Sequence, residues 1–304
     1  MYRRTRVPSI RYSFTAILKY ITILQDEFIY SGHLTAIGCP MKVMLVSILS
    51  NISVSLQLLF IAYLAPLIVY SIDYYKSMEK DMMTNPDRTS YLSKKSGAYP
   101  YLIALYMILL LASLALFANK GLILLTMCLA LFGIMYSTVF KGLTKKVPGF
   151  KNVFTSGIWS SGAAFGLLVY YSLPFDAFFG LIFVFLFMRS FGNVIFFDLK
   201  DVMSDAAEGL KTIPVLLGKQ RTVALLQALN VISFLPLVIG VCLQKVPAYA
   251  LSMIALAFFT FYNLRRADTV EARRLGYTYY MLADAETLLW PIILLIGKAV
   301  YYSL

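Results

Sequence analysis

Residues 175–205 read FDAFFGLIFVFLFMRSFGNVIFFDLKDVMSD, an apolar run that ends in three aspartates. The run is about as long as the ~20 residues that a helix needs to cross a bilayer. Asp198, Asp201 and Asp205 stand at i, i+3 and i+7, so one continuous helix points all three the same way. Carboxylates near hydrocarbon cost roughly 2.5 to 3.5 kcal/mol each on insertion scales and repel one another unless cations lie among them. This stretch therefore predicts a transmembrane helix with a metal site at its end.

The rest of the chain has the composition of a polytopic membrane protein. Of its 304 residues, 60% are hydrophobic and 14% charged, whereas about a quarter of the residues in a typical soluble domain are charged. We predict an all-α protein with nine transmembrane helices, forming a single domain over residues 1–304. The nine apolar runs lie at about 29–49, 53–72, 100–118, 121–139, 153–172, 175–197, 222–243, 247–263 and 280–302.

The distribution of basic residues predicts the orientation in the membrane. Of the 27 Lys and Arg, 22 fall in the N-terminal segment and in the loops after the second, fourth, sixth and eighth apolar runs. Because loops rich in Lys and Arg stay in the cytoplasm, we expect these loops on the cytoplasmic side of the cell membrane. The basic residues 1–28 are expected to lie at the membrane interface. We expect the bilayer, and no nucleic acid, to be the partner of this positive charge.

A second acidic cluster follows the apolar run at 53–72. Asp73, Ser77 and Asp81 are spaced i, i+4 and i+8 on one helix face, and Pro86 ends the helix. The two clusters are four apolar runs apart, which predicts two four-helix pseudo-repeats, closed by a ninth helix around a central cavity. Oxygen ligands without a neighbouring His or Cys favour Mg²⁺, which is usually held by a few carboxylates and the phosphate oxygens of a substrate.

These motifs resemble those of the UbiA superfamily of intramembrane prenyltransferases. The family's second motif, Asp-x-x-Asp-x-x-x-Asp followed by Gly-x-x-Thr-x-Pro-x-x-x-Gly, is matched by Asp198, Asp201, Asp205, Gly209, Thr212, Pro214 and Gly218. Its first motif, Asn-Asp-x-x-Asp-x-x-x-Asp ending in Arg-Pro-x-Arg, is matched more loosely. Here Asp73 stands at the Asn position, Ser77 replaces the middle Asp, and Asp81 stands at the last Asp. Tyr136 to Lys141 resembles the family's Tyr-Ser-Pro-Pro-x-Lys segment without its two prolines.

The resemblance implies a cavity that holds a polyprenyl diphosphate, with Mg²⁺ bridging the diphosphate to both clusters. It implies transfer of the prenyl group from this donor to a lipophilic acceptor, either an aromatic ring or a lipid, with release of pyrophosphate. The implied metal ligands and catalytic residues are Asp73, Asp81, Asp198, Asp201 and Asp205, with Tyr136 as a further catalytic residue. The residues expected to bind the diphosphate are Arg88, Lys141, Lys145, Asn193 and Lys211.

Two other classes of function stay open at this point. A secondary transporter also carries acidic residues, an internal repeat and basic cytoplasmic loops, although its ion sites usually lie nearer the middle of the membrane. A non-catalytic membrane scaffold that retains the prenyltransferase fold is favoured by the serine at position 77. Mg²⁺ binding together with pyrophosphate release distinguishes the enzyme from both alternatives.

Overall fold

The structure is a computed structural model that describes residues 10–82, 84–269 and 272–303, and these residues are almost entirely helical. The first nine residues of the predicted basic N-terminal segment lie outside the described residues. In chain order the helices are α1 Ile10–Tyr30, α2 His33–Ser50, α3 Leu56–Asp81, α4 Pro86–Ser93, α5 Tyr99–Phe117, α6 Lys120–Met135, α7 Lys141–Lys146, α8 Phe150–Tyr170, α9 Ala177–Ala207, α10 Ile213–Ile232, α11 Leu235–Cys242, α12 Ala255–Thr269 and α13 Ala272–Ser303. A π-helical turn, Tyr136–Phe140, precedes α7, and a 3₁₀ helix, Ala248–Ile254, precedes α12.

The apolar helices confirm an all-α integral membrane protein. Within the described ranges, six helical segments are long and apolar enough to cross a membrane, namely His33–Ser50, Leu56–Glu79, Tyr99–Phe117, Phe150–Tyr170, Ala177–Ala207 and Ile213–Cys242. Helix α6 is apolar but shorter. The apolar run predicted at 247–263 is divided between the 3₁₀ helix and α12. The number of nine transmembrane helices therefore stays a prediction.

Both acidic clusters lie on continuous extensions of apolar helices. Helix α3 continues beyond the predicted end at 72 and reaches Asp81. Helix α9 begins at the N-cap Asp176, whose side chain accepts a hydrogen bond from the backbone of Phe179. It ends where Gly209 adopts φ 71° and the backbone N–H of Leu210 donates to the carbonyl of Asp205. The α9 aspartates therefore occupy the last turns of one 31-residue helix.

The helices pack into a bundle around a central cavity. Helix α2 contacts α3, α8 and α13, while α9 contacts α8, α10 and α13. Helix α6 packs against α3 and α8. Helix α13 contacts both α2 and α9 and so joins the two sides of the bundle. Large side chains that are fully buried in the core include Leu45, Phe185 and Leu186. This arrangement turns one face each of α2, α3, α8 and α9 toward the same interior space.

Candidate active site

One cavity, with a volume of ≈ 440 Å³, contains both acidic clusters. This volume lies in the range of ligand pockets in proteins. Apolar side chains line most of its length, down to Leu58 and Leu122 in the first turns of α3 and α6. Charged residues line the other end, which we call the cavity mouth, and these are Asp73, Asp81, Arg88, Lys141, Lys151, Asp198, Lys200, Asp201, Asp205 and Glu208. The cavity thus joins a charged mouth to an apolar tunnel.

Lys151, in the first turn of α8, lies between two of the α9 aspartates. Its Nζ is 2.6 Å from Oδ1 of Asp198 and 3.6 Å from Oδ2 of Asp205. The neighbouring Asn152 donates from Nδ2 to Oδ2 of Asp198 at 2.7 Å and accepts a hydrogen bond from the backbone of Ile213. The sequence-based prediction counted Lys151 only as a basic loop residue. No local signal in the sequence distinguishes Lys151 from the exposed lysines of the same loop, Lys145 and Lys146.

Lys200 connects the two acidic motifs. Its Nζ lies 3.0 Å from both carboxylate oxygens of Asp201 and donates to Oδ1 of Asn85 at 3.2 Å. Asn85 opens the segment Asn85-Pro86-Asp87-Arg88, which stands where the family's first motif ends in Arg-Pro-x-Arg, and it is buried, as is most of the Lys200 side chain. This contact fixes the end of α9 to the segment between α3 and α4.

Asp81 is paired with Arg88 from its own motif. Nη2 of Arg88 lies 2.5 Å from Oδ2 of Asp81, and the guanidinium stands 4.0 Å from the ring centroid of Tyr74. Ser77, which replaces the middle aspartate of the family motif, donates to the same oxygen of Asp81 at 2.8 Å. Asp73 faces the cavity and has no hydrogen bond or ion pair to any described residue. The α3 cluster therefore presents one paired and one unpaired carboxylate.

Three more of the predicted site residues line the cavity. The hydroxyl of Tyr136 lies 3.0 Å from a threonine hydroxyl of α7. Nζ of Lys141 lies 2.5 Å from a carboxylate oxygen of Glu208, which follows the last turn of α9. Asn193, one helical turn before the aspartates of α9, donates to the carbonyl of Ala283 on α13. The structure brings these three residues to the same cavity as the acidic clusters.

Lys145 and Lys211 are not among the residues that line the cavity. Both are exposed, so the structure does not support the prediction that their side chains bind the diphosphate. The backbone N–H of Lys211 donates to the carbonyl of Thr144, and the carbonyl of Lys211 accepts from the N–H of Gly149. The backbone of the Gly-x-x-Thr-x-Pro segment thereby holds the loop that carries Tyr136 and Lys141 against the end of α9.

The carboxylate side chains at the mouth suit a hard divalent cation that is also coordinated by a substrate. Oδ2 of Asp205 is buried and accepts no hydrogen bond from any described residue. Within the described part of the chain, no three acidic, His or Cys side chains lie close enough together to hold a metal ion by themselves. Lys151, Lys200 and Arg88 lie among the carboxylates. Mg²⁺ usually takes one or two carboxylates together with substrate phosphates, which suits such a divided set of ligands.

Comparisons with known proteins identify the same architecture. A solved UbiA homologue from Archaeoglobus fulgidus bound to GPP and Mg²⁺ matches with a TM-score of 0.65 and 16% identity, over 90% of this chain and 99% of that chain. An apo UbiA homologue from Aeropyrum pernix K1 matches with a TM-score of 0.64 and 17% identity, over 88% and 98% of the two chains. A digeranylgeranylglyceryl phosphate synthase structure matches with a TM-score of 0.56 and 18% identity, over 91% and 97%.

At these identities the structural matches show the fold alone. A search of curated proteins found no match. The sequence model of the UbiA prenyltransferase family matches residues 47–283, which include both acidic clusters and most of the helices that line the cavity. The chain belongs to the UbiA prenyltransferase family.

Proposed function

We propose that this protein is a Mg²⁺-dependent intramembrane prenyltransferase that uses an allylic prenyl diphosphate as donor and a lipophilic molecule as acceptor. The observation that carries this proposal is the meeting of both acidic clusters, with the cations among them, at the mouth of one apolar cavity. The Archaeoglobus fulgidus relative binds GPP and Mg²⁺, which supports the same class of ligand here. The cavity combines a polar site for a diphosphate with an apolar tunnel for a prenyl chain.

The mouth would hold the diphosphate through charge. The residues that would hold Mg²⁺ are Asp73, Asp81, Asp198, Asp201 and Asp205. Bound there, the metal would neutralise charge on the pyrophosphate leaving group as its bond to the allylic carbon breaks. Arg88, Lys141, Lys151 and Lys200 supply N–H donors at the same place. Such fixed donors stabilise a developing anion most strongly where water is excluded.

The apolar tunnel would hold the prenyl chain and protect the reacting carbon from water. Tyr136 stands where the mouth meets this tunnel, with its ring stacked on Phe154 at a centroid distance of 5.9 Å. An aromatic face can stabilise positive charge close to it. We therefore assign Tyr136 to stabilisation of the allylic cation and to shaping the tunnel at its first isoprene unit.

The charge distribution supports a mouth that opens to the cytoplasm. The loop after α6 and the segment after α3 are rich in Lys, whereas Asn119 and the turn after α8 connect helices on the opposite side. Short loops are oriented in membranes by their Lys and Arg content. A positive surface at the mouth would also attract an anionic diphosphate.

Pyrophosphate release tests the proposal. Asp198→Ala, Asp201→Ala and Asp205→Ala should each lower Mg²⁺-dependent release at least about tenfold, since loss of a metal ligand removes leaving-group stabilisation. The donors are geranyl, farnesyl and geranylgeranyl diphosphate. The prenylated products are identified by mass spectrometry of isoprenoid extracts. Asp176→Asn, which keeps the N-cap of α9 on the opposite side, is the matched control. Wild-type rates in all three alanine variants would rule out the assigned site.

A further inference from the structure

Two charged side chains line the cavity away from its mouth, Lys42 on α2 and Asp284 on α13. They are only 8% and 9% exposed. All other charged residues that line the cavity in the described part of the chain belong to the mouth. Charged residues inside membrane helices are costly and are generally associated with a function. This pair is not used by any step of the proposed diphosphate chemistry.

Lys42 offers hydrogen-bond donors to the cavity. Its ammonium donates to Oγ of Ser190 at 2.8 Å and stands 5.3 Å and 5.8 Å from the ring centroids of Trp159 and Trp290. An ammonium has three N–H donors, so one hydrogen bond leaves two without an acceptor among the described residues. The two indole rings stabilise the positive charge without using these donors.

Asp284 offers the complementary acceptor. Its Oδ2 accepts a hydrogen bond from Oγ1 of Thr35 at 2.7 Å, whereas its Oδ1 has no hydrogen-bond partner among the described residues. Thr35, Gly38 and Lys42 lie on one face of α2, at i, i+3 and i+7, and all three line the cavity. A Cβ placed on Gly38 would lie 3.7 Å from Thr287 of α13. The face that carries Lys42 therefore packs directly against the helix that carries Asp284.

The pair lies just beyond the mouth, on the path that a prenyl donor would take. Ser190, which binds Lys42, precedes Asp198 by eight residues on α9, or about 12 Å at the helical rise. Asn193, which binds the carbonyl next to Asp284, precedes Asp198 by five residues, or about 8 Å. With the diphosphate in the mouth, the allylic carbon bonded to it is the first carbon of the prenyl chain inside the tunnel. A molecule held by Lys42 and Asp284 would therefore lie beside the reacting carbon.

The surrounding charges favour a neutral polar group. An ion pair, Arg189 with Glu286, is buried beside Lys42 and lines a small adjoining pocket that Lys42 also lines. Together with Lys42 and Asp284 it makes two cations and two carboxylates, so the region has no net charge to select an anion. A hydroxyl group both donates and accepts a hydrogen bond, and thus satisfies Asp284 and Lys42 together.

We propose that Lys42 and Asp284 form the acceptor subsite, where Asp284 accepts a hydrogen bond from the hydroxyl group of a lipophilic alcohol or phenol and Lys42 donates to its oxygen. Calling the bound molecule an acceptor rests on the proposed prenyltransferase function. The binding of the hydroxyl group itself rests on the two side chains and their free hydrogen-bonding atoms alone.

The tryptophans next to Lys42 allow a binding test that needs no activity. Trp159 and Trp290 are the two tryptophans of the chain. The full-length protein in lipid nanodiscs is titrated with para-hexylphenol and with its methyl ether, para-hexylanisole, and is excited at the red edge of tryptophan absorption. The phenol should change the emission saturably, and the ether, which cannot donate, should bind at least about tenfold more weakly. Equal binding of phenol and ether by the unaltered protein would overturn the proposal.

Asp284→Asn provides the second comparison. It can keep the hydrogen bond from Thr35 but replaces a charged acceptor by a neutral one, so phenol binding should weaken about tenfold. Asp176→Asn, the same change at an exposed helix cap, should bind the phenol as the unaltered protein does. Binding of geranylgeranyl diphosphate with Mg²⁺, measured by equilibrium dialysis, should stay within twofold in Asp284→Asn.

The outcomes separate the subsite from the proposed function. Wild-type phenol affinity in Asp284→Asn would overturn the subsite, and so would equal losses of phenol and donor binding, because these indicate a purely structural role of the carboxylate. Lack of donor binding by the unaltered protein, with phenol binding intact, would overturn the prenyltransferase proposal and leave the hydroxyl site in place.

Discussion

Nζ of Lys151 lies 2.6 Å from Oδ1 of Asp198, so a lysine of the chain occupies a place where a metal ion would be expected. The same arrangement recurs at Asp201 with Lys200 and at Asp81 with Arg88. These cations compensate the charge of carboxylates that would otherwise repel one another. Lysine and Mg²⁺ should therefore compete for the carboxylates, and the diphosphate should relieve the competition by accepting hydrogen bonds from the lysines.

Lys151→Met should lower turnover and strengthen the effect of Mg²⁺ on stability. Removal of the Lys151 ammonium group leaves the buried Asp198 without its cation, which should lower the melting temperature of the metal-free variant. Mg²⁺ alone should then raise the melting temperature more than in the unaltered protein, while pyrophosphate release falls at least about tenfold. Lys146→Met, at an exposed lysine of α7, is the matched control. An unchanged response to Mg²⁺ would contradict the competition.

Ser77→Asp should make the stability of the protein depend more strongly on Mg²⁺. The serine hydroxyl donates to Asp81 at 2.8 Å, so a carboxylate there would lose this hydrogen bond and face a like charge. The metal-free variant should be less stable by about 1 kcal/mol, and a titration of melting temperature with Mg²⁺ should recover the loss. Ser77→Ala removes the donor without adding charge and should not respond to Mg²⁺ in this way. No recovery would show that position 77 does not face the metal.

Gly166→Leu should shorten the prenyl chain that the enzyme accepts. Gly166 lines the cavity 15 residues after Lys151 on α8, about 22 Å deeper, and a Cβ there would meet nothing within 4 Å. Turnover with geranylgeranyl diphosphate relative to geranyl diphosphate should fall about tenfold, because the larger side chain fills the tunnel. Gly157→Leu, on the same helix but outside the cavity lining, should keep the ratio. An unchanged ratio in Gly166→Leu would place the prenyl chain elsewhere.

Glu27 should stabilise the protein in a pH-dependent way. Its carboxylate accepts hydrogen bonds from Lys95 and from the hydroxyl of Tyr91, and thereby attaches α1 to the end of α4. Burial raises the pKa of Glu27, but these hydrogen bonds lower it more, to below its usual 4.5. Burial lowers the pKa of Lys95, but its hydrogen bonds to Glu27 and Tyr91 and the charge of Glu27 together raise it to above its usual 10.5. The ion pair is therefore complete between these limits.

Glu27→Gln should accordingly reduce stability at neutral pH by about 0.5 to 1 kcal/mol, since both side chains are partly exposed to solvent. The depressed pKa means that this contribution is present above the unfolded-state pKa and is lost as the pH falls through the lower folded-state value. The melting temperatures of variant and unaltered protein should thus converge below pH 4.5. Glu79→Gln, at the exposed end of α3, should show no such convergence. A constant difference at all pH values would contradict the role of the ion pair.

Labelling of single cysteines tests the orientation. In a background without Cys39, Cys128 and Cys242, cysteines at Ser93 and Gly142 should react with a membrane-impermeant maleimide only after the cytoplasmic side is opened. Both positions are exposed.

Cysteines at Lys120 and Lys245, which are exposed at the opposite helix ends, should react in intact cells. The reverse pattern would place the mouth on the outer side of the membrane.

Local features of the sequence were sufficient for much of the fold and part of the site. Hydrophobic runs of membrane length predicted the apolar helices, because a helix in hydrocarbon satisfies its own backbone groups. The spacing of Asp198, Asp201 and Asp205 predicted a common face, because residues at i, i+3 and i+7 align on any helix. The number of transmembrane helices stays a prediction, since α6 and α12 adjoin a π-helical turn and a 3₁₀ helix that no local pattern indicates.

Local sequence patterns are enough to identify a helical membrane protein with two acidic helix ends and the motifs of its family. Which basic residues enter the cavity depends on how the helices pack: the fold places Lys151 and Lys200 among the carboxylates and leaves Lys145 and Lys211 exposed. It also pairs Asp284 with Thr35, 249 positions away. A lysine in a polar loop has the same local sequence signal whether it turns inward or outward, and its direction is set by partners on helices that are distant in the chain.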